Sequence, residues 1–192
     1  MVYFPVAARS IVLASASPRR LSLLRQHGYE VDVVPADIEE VLPDFLTVGE
    51  TTLFNAKRKA GDVARQRPDA LVLAADTLVA VDGRILGKPR DLAEAFEMVS
   101  LLSGRAHEVF SGVWLARAGG ARGFVEVSRV RFRKLTTREI GRYIGKINPL
   151  DKAGAYAAQD DEMGVIESIE GSRTNVIGLP MEALARVLRA FF

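Results

Sequence analysis

The residues best suited to chemistry follow the first predicted strand. The segment Ile11–Arg20, IVLASASPRR, places two serines, a proline and two arginines between an apolar run and a predicted helix. Ser17 and Pro18 predict the N-cap and the first residue of that helix. Arg19 and Arg20 then fall in its first turn, where acidic side chains are preferred. Helix N–H groups, hydroxyls and guanidinium groups would together bind a phosphate, although two solvated arginines fit the same pattern.

A second candidate is an aspartate beside a continuously apolar run. Residues 70–75, ALVLAA, predict a central strand that is buried on both faces and ends at Asp76. A carboxylate in that position can be a metal ligand or a general base. The alternative is a turn aspartate that bonds its own backbone. Further along, Lys88 lies in a Gly-Lys-Pro loop, from which its ammonium group could reach a phosphate.

Weaker signals complete this set. The segment Asp151–Asp160 combines small residues with Lys152, Tyr156 and Gln159, which could contact phosphate and base, although an ordinary loop fits equally. The basic run 57–59 is typical of a solvated helix face. Several cations, isolated acids and no strong nucleophile together favour metal-assisted attack of water on a polyphosphate.

Composition excludes several other classes. The chain has 192 residues, 48% of them hydrophobic and 26% charged, with a net charge of +2 and no cysteine. Disulfides, thiolate nucleophiles and cysteine-ligated zinc are therefore excluded. With only two histidines a His-rich metal site is excluded too, and His107 is predicted to be structural. The small net charge argues against general nucleic-acid binding. Because no apolar run approaches the ~18–20 residues of a membrane span, we expect a soluble, cytoplasmic protein.

Hydrophobic periodicity predicts a mixed α/β fold in a single domain over residues 1–192, without a linker that divides it. Asp91 is expected to cap one helix, and Thr136 with Glu139 has the spacing of a capping box. The predicted strands cover residues 11–14, 31–34, 70–76, 109–117, 124–132 and 165–169, and the other predicted helices cover 18–27, 51–65 and 180–191.

The order and spacing of seven segments along the whole chain resemble the Maf family of nucleoside triphosphate pyrophosphatases. The segments are Ser15–Arg20, Asp37–Glu40, Ala75–Thr77, Leu86–Pro89, Leu102–His107, Asp151–Gln159 and Asn175–Pro180. The resemblance implies a fold like that of the inosine-triphosphate pyrophosphatases, with an elongated mixed sheet, flanking helices and a central cleft between two lobes. It also implies hydrolysis of a nucleoside triphosphate to the monophosphate and pyrophosphate with Mg²⁺ or Mn²⁺, a homodimer, and a link to septum formation and cell-division arrest.

The resemblance also implies roles for particular residues. Asp76 matches the proton acceptor of the family, and Glu39 matches an acidic residue that helps to bind the metal together with Asp76. Gln159 together with Lys152 resembles the dTTP/UTP branch. The remaining matched positions are those associated with substrate choice, Arg19 and Thr77, and those expected near the triphosphate, Ser15, Arg20, Lys59 and Lys88. The chain departs from the family pattern at Ser111, Ser128, Asp160 and Arg173–Thr174.

Three other functions remain open at the level of sequence. The same reaction could act on CTP, 7-methyl-GTP or modified pyrimidine triphosphates. A non-catalytic nucleotide sensor that regulates septum formation would bind nucleotide without releasing pyrophosphate. A nucleic-acid binder is suggested only by the sequence pI of about 9.0, and aromatic residues, at 7%, are too sparse to suggest a stacking platform for bases.

Overall fold

A computed structural model describes residues 10–159, 161–189 and 191, so the departure at Asp160 lies outside the described residues. Strands and helices are interspersed along the chain, and the predicted mixed α/β class is confirmed. The strands are β1 (Ser10–Leu13), β2 (Glu30–Val33), β3 (Val72–Val81), β4 (Arg84–Leu86), β5 (Ala106–Arg117), β6 (Gly120–Phe132) and β7 (Ile166–Glu170). The helices are α1 (Pro18–Gln26), α2 (Val48–Gln66), α3 (Leu92–Leu102), α4 (Thr137–Lys146), α5 (Arg173–Ile177) and α6 (Met181–Leu188), with a 3₁₀ turn at Ala153–Ala155.

The strands of the described residues form one mixed sheet in the order β2-β1-β3-β5-β6-β7, with β4 paired to β3. Strand β1 is parallel to both β2 and β3. Helices α1 and α2 carry the chain back to the end of the sheet at which β1 begins, as parallel pairing requires. Strands β4 and β7 pair antiparallel with β3 and β6. Among the described helices, none is long and apolar enough to cross a membrane.

The described residues divide into two compact units, and one of the boundaries falls inside β3 between Asp76 and Thr77. The first unit comprises residues 10–76, 111–126, 178–189 and 191, and the second comprises 77–110, 127–159 and 161–177.

In the first unit, helix α2 packs closely against β5. A Cβ atom at Gly112 would overlap the backbone of Thr52 and Leu53, so only glycine permits this approach. The apolar side of α2, represented by Ala60 and Val63, belongs to a buried cluster with residues of β1 and β3. This packing fixes the face of α2 that lies against the sheet.

The second unit has its own core, built from β3, β5, β6, α3 and α4. The predicted caps are confirmed. Asp91 accepts a hydrogen bond from the backbone N–H of Glu94, and Thr136 and Glu139 form a reciprocal capping box. The Glu139 carboxylate accepts two hydrogen bonds from Thr136 and one from Arg133, and these bonds lower its pKa to about 2.

Several boundaries differ from the predictions for local reasons. Strand β3 continues for five residues beyond Asp76, because the apolar run resumes at Leu78. Helix α2 begins earlier, at Val48, because Thr47 and Glu50 form a capping box that the pattern analysis missed. Ser17 precedes α1, but its side chain makes no capping hydrogen bond. Strand β4 and helix α5 were not predicted, and the closing helix ends at Leu188.

Candidate active site

The site is built where β1 ends and its parallel pairing with β3 stops. Leu13 of β1 pairs with Leu73 of β3, so Ser15 and Asp76 follow the paired positions by two and three residues. Strand β1 lies between β2 and β3. After β1 the chain forms β2 on one side of it, and it later forms β3 on the other side. Open sheets bind ligands beyond the carboxyl ends of strands at such a point. The strand order therefore marks this edge as a candidate site.

Asp76 is a buried carboxylate within a strand, not a turn residue. It is 4% exposed, and both of its oxygen atoms accept hydrogen bonds. Lys59 Nζ lies 2.8 Å from Oδ1, and Asn55 Nδ2 lies 3.1 Å from Oδ2. The alternative of a turn aspartate bonding its own backbone is wrong, because the strand continues through this position.

Lys59 joins two carboxylates. It is 8% exposed, and its Nζ atom lies 2.8 Å from Asp76 Oδ1 and 2.6 Å from Glu40 Oε1. The expectation of a solvated helix face is therefore wrong at this residue. Burying a lysine costs free energy unless the charge is paired, and here two acids share the pairing. A cation held between two carboxylates can exchange partners when an anion arrives.

The acidic loop before α2 is tied to the helix by its backbone. Asn55 accepts a hydrogen bond from the N–H of Val41 and donates one to its carbonyl. Arg58 donates to the carbonyl of Glu39, whose residue is exposed. The carboxylate that contacts Lys59 belongs to Glu40, the neighbour of the predicted metal ligand. Asn55 and Glu40 are the functional candidates that pattern reasoning missed.

In the segment after β1, the guanidinium group of Arg20 is held by hydrogen bonds. Arg20 Nη1 donates to Ser15 Oγ at 3.0 Å, and its Nε atom donates to the carbonyl of Gly178 at 2.9 Å. Burial lowers the pKa of Arg20, and the negative charges of Asp76 and Glu40 oppose that shift. Arg20 therefore lies within the electrostatic reach of both carboxylates. Ser15 Oγ also accepts from the backbone N–H of Ser17.

Arg19 precedes Arg20 in the first turn of α1 and is half-buried. Its positive charge acts on Arg20 and contributes to the lowering of its pKa. The first turn of α1 contains no acidic residue. Two cations at the positive end of a helix repel one another unless an anion is present, which favours the phosphate interpretation of this segment.

The other predicted substrate residues belong to the second unit. Thr77 is half-buried next to Asp76, and Lys88 is exposed in its loop. Lys152 is buried, and its Nζ atom is bonded to the Asn148 carbonyl and to Asp151 Oδ1, each at 2.6 Å. In this structure its ammonium group therefore holds its own loop.

A backbone hydrogen bond connects two of these loops. The N–H of Gly154 donates to the carbonyl of Gly87 at 3.0 Å, which links the loop of Lys152 to the loop of Lys88. Gln159 is exposed, and Arg173 donates to the carbonyl of the preceding Ala158 at 2.8 Å. The departure at Arg173 thus bonds the segment that carries Gln159.

The acidic side chains of the site offer few ligands for a divalent cation. Within residues 10–159, 161–189 and 191, no group of three or more His, Asp or Glu side chains could hold a metal ion. Asp76 and Glu40 converge on one ammonium group. Mg²⁺ commonly binds through one or two carboxylates together with substrate phosphates. This donor set fits a cation that arrives with a triphosphate.

The fold is shared with a protein of known structure. The structure of the Staphylococcus aureus Ham1 protein matches with a TM-score of 0.54 and 17% sequence identity, over 95% of this chain and 100% of that chain. At this identity the likeness defines the fold alone: a mixed sheet with flanking helices of the Ham1 type.

Sequence comparison defines the family. The family model described as Maf-like protein matches residues 10–191, and the chain belongs to this family. A protein from Bacillus pumilus named dTTP/UTP pyrophosphatase is 41% identical over 94% of this chain and 96% of its own length. A protein of the same name from Pelotomaculum thermopropionicum is 44% identical over 95% of this chain and 97% of its own length. The predicted family membership is therefore confirmed.

Proposed function

We propose that this chain is a nucleoside triphosphate pyrophosphatase that hydrolyses dTTP and UTP to the monophosphate and pyrophosphate. Relatives with that name match nearly the whole chain at 41–44% identity. The observation that carries the chemistry is the buried Asp76 carboxylate, bonded by Lys59 and Asn55 at the carboxyl edge of the parallel strands.

In this mechanism Asp76 takes the proton of the attacking water. The water oxygen forms a bond to the α-phosphorus, the bond from that phosphorus to the bridging oxygen breaks, and pyrophosphate leaves with the bond electrons. A general base accepts a proton from the attacking group in the transition state, and its side chain must be positioned within hydrogen-bond distance of that proton. The two hydrogen bonds to Asp76 fix the plane of its carboxylate, so the remaining lone pairs have a defined direction.

The cations offset the charge of the triphosphate. Lys59 lies between two carboxylates before substrate arrives, and a phosphate oxygen can replace either of them as its partner. Arg19 and Arg20 lie at the N-terminus of α1, where backbone N–H groups add further donors. Preorganised donors of this kind stabilise the charge that develops on a leaving group. Ser15 supplies a hydroxyl beside Arg20.

We propose that Mg²⁺ or Mn²⁺ is held by Asp76 and one acid of the loop before α2. The family resemblance indicates Glu39 for that role, whereas the contact with Lys59 favours Glu40. When bound, a divalent cation would neutralise phosphate charge and orient the triphosphate. The protein residues supply the carboxylates, while the phosphates supply further oxygen ligands.

Gln159 is the residue proposed to select the base of the substrate. Its carboxamide can both donate to and accept from a pyrimidine, and Thr77, Lys88 and Lys152 are the other residues that the family resemblance assigns to substrate. Lys152 would act on the substrate indirectly, by holding its own loop through Asn148 and Asp151. A homodimer and a cytoplasmic location remain part of this proposal.

A panel of triphosphates tests the function. The purified protein is incubated with Mg²⁺ and dTTP, UTP, CTP, GTP or 7-methyl-GTP, and monophosphate and pyrophosphate are quantified by chromatography. We expect the highest kcat/KM for dTTP and UTP. Binding of nucleotide without product would instead indicate a sensor, and preferential hydrolysis of another triphosphate would correct the substrate.

The panel also tests Gln159. The Gln159→Ala variant should lower the UTP-to-GTP ratio of kcat/KM by roughly tenfold. A site that hydrogen-bonds the correct base rejects another base because that base leaves polar groups of the site without partners. Gln26→Ala makes the same chemical change at an exposed position of α1 and should leave the ratio unchanged. An unchanged ratio in Gln159→Ala would remove this residue from base recognition.

A further inference from the structure

We infer that Asn55 is a positioning residue, which holds the acidic loop next to Asp76 so that the carboxylates of Glu40 and Asp76 act together. The inference rests on the hydrolysis proposed above and assigns part of its geometry to a side chain that touches no substrate. Asn55 lies on α2, one helical turn before Lys59, and is buried.

The carboxamide of Asn55 uses each of its polar groups. Its Nδ2 atom donates to the Val41 carbonyl at 3.0 Å and to Asp76 Oδ2 at 3.1 Å. Its Oδ1 atom accepts from the Val41 N–H at 3.1 Å. Only the amide nitrogen can face two acceptors, and only the oxygen can face an N–H donor. The orientation of the side chain is therefore fixed by its partners.

These bonds connect three separate segments of the first unit. Val41 directly follows Glu40 in the long connection between β2 and α2, and Asp76 lies in β3. Asn55 holds the loop through hydrogen bonds with the backbone N–H and carbonyl of Val41. It holds β3 through a hydrogen bond to the carboxylate of Asp76. Lys59 lies four residues further on the same helix face and joins the side chains of Glu40 and Asp76.

The two helix residues therefore have different tasks. Lys59 pairs with both carboxylates by charge, and an incoming phosphate can compete for it. Asn55 bonds the loop through its backbone, which an anion does not displace. When Lys59 turns to the triphosphate, Asn55 keeps Val41, and with it Glu40, in place beside Asp76.

The main test compares Asn55→Ala with Thr52→Ala. Thr52 is also buried on α2, and its hydroxyl donates to the Gly49 carbonyl within the same helix. In Asn55→Ala we expect kcat for UTP to fall about 100-fold with KM within about threefold, because misplaced catalytic groups cost rate of this size. Hydrogen exchange of the Val41 amide should become about tenfold faster or more. Thr52→Ala should change neither quantity by more than about threefold.

A double-mutant cycle separates positioning from general loss of packing. In a Glu40→Gln background, the loss caused by Asn55→Ala should shrink to less than about tenfold, because coupled residues are not additive. If Asn55→Ala does not fold by circular dichroism, Asn55→Asp keeps the size of the side chain and removes both donors. It should show the same kcat loss.

Three results would overturn the inference: a kcat in Asn55→Ala equal to that in Thr52→Ala, an unchanged Val41 exchange rate, or an undiminished loss in the Glu40→Gln background. The wild-type protein is assayed in parallel with UTP. An inactive wild type would overturn the proposed function, while the Val41 exchange would still decide whether Asn55 holds the loop. An active wild type with an unaffected variant would overturn the role of Asn55 alone.

Discussion

Two buried titratable side chains, Asp76 and His107, are placed in opposite kinds of surroundings. Asp76 in the first unit bonds to the ammonium group of Lys59 and to the carboxamide of Asn55. His107 in the second unit is 2% exposed and packs edge-on against Phe132 and Tyr156. One surrounding contains charge and hydrogen-bond donors, while the other is mainly aromatic.

The difference shows what burial does in each case. At Asp76 two hydrogen-bond donors, one of them an ammonium group, offset the cost of burying a carboxylate. At His107 burial lowers the pKa to about 4 and so favours the neutral ring. Its Nε2 atom lies 3.0 Å from the Tyr156 hydroxyl, and its Nδ1 atom is buried without a hydrogen-bond partner among the described residues. The first arrangement fits chemistry, and the second fits a structural core.

The largest effect is expected at Asp76. Asp76→Asn should lower kcat for UTP by about a thousandfold, because it removes the proposed proton acceptor. An asparagine could still accept from Lys59, but its NH₂ group would then face the NH₂ group of Asn55. Asp82→Asn makes the same change at an exposed residue of a turn and should retain near wild-type turnover. Near-normal turnover in Asp76→Asn would show that Asp76 is not the proton acceptor, and the contrast between a catalytic Asp76 and a structural His107 would no longer hold.

A smaller effect should separate the two adjacent loop acids. Glu40→Gln should lower kcat/KM about 10- to 100-fold, the usual range for residues that support a metal or its ligands. Glu39→Gln should change it by less than about threefold, because the contact of Glu39 with α2 is made by its carbonyl, whereas Glu40 contacts Lys59 through its carboxylate. Steady-state pyrophosphate release from UTP measures both. A larger loss in Glu39→Gln would assign the metal to the residue that the family resemblance indicates.

The sequence predicted most of the strands and helices because the residue patterns that specify them are local. Apolar runs predicted most strands. Asp91 was predicted as a cap from its place before a helical pattern and Thr136 from its spacing to Glu139, and both caps are confirmed. Alternation along β6 is also seen from Ser128 onward, where buried and exposed residues alternate. The family resemblance was recognisable because its segments keep their order along the chain.

The contacts of the site were harder to predict because they join distant segments. Local composition does not reveal which basic residue of the run 57–59 meets Asp76. One signal was available: Lys59 shares its helix face with the buried residues Ala56 and Val63, and Asn55 precedes it by one turn. Helical spacing of this kind predicts a polar stripe buried against the sheet. The polar pair Asp76–Thr77 predicts the end of a strand, whereas β3 continues through it because Asp76 itself is buried and burial resumes at Leu78.

The smallest effect is the pH dependence of stability at His107. An unfolded histidine binds a proton below about pH 6.5, whereas the folded ring does so only near pH 4. Stability is therefore fully present above pH 6.5 and falls as the pH drops through this window, because the unfolded chain binds more protons. We expect a loss of about 2 kcal/mol between pH 7 and pH 5 from this residue.

Urea unfolding of the wild type and of His107→Phe at both pH values measures this loss. The variant should unfold with about 2 kcal/mol less pH dependence and should keep kcat for UTP at pH 7 within about threefold of the wild type, since His107 belongs to the core of the second unit. An equal pH dependence in both proteins would contradict the neutral buried ring. A large loss of turnover would assign His107 a part in the chemistry and would break its contrast with Asp76.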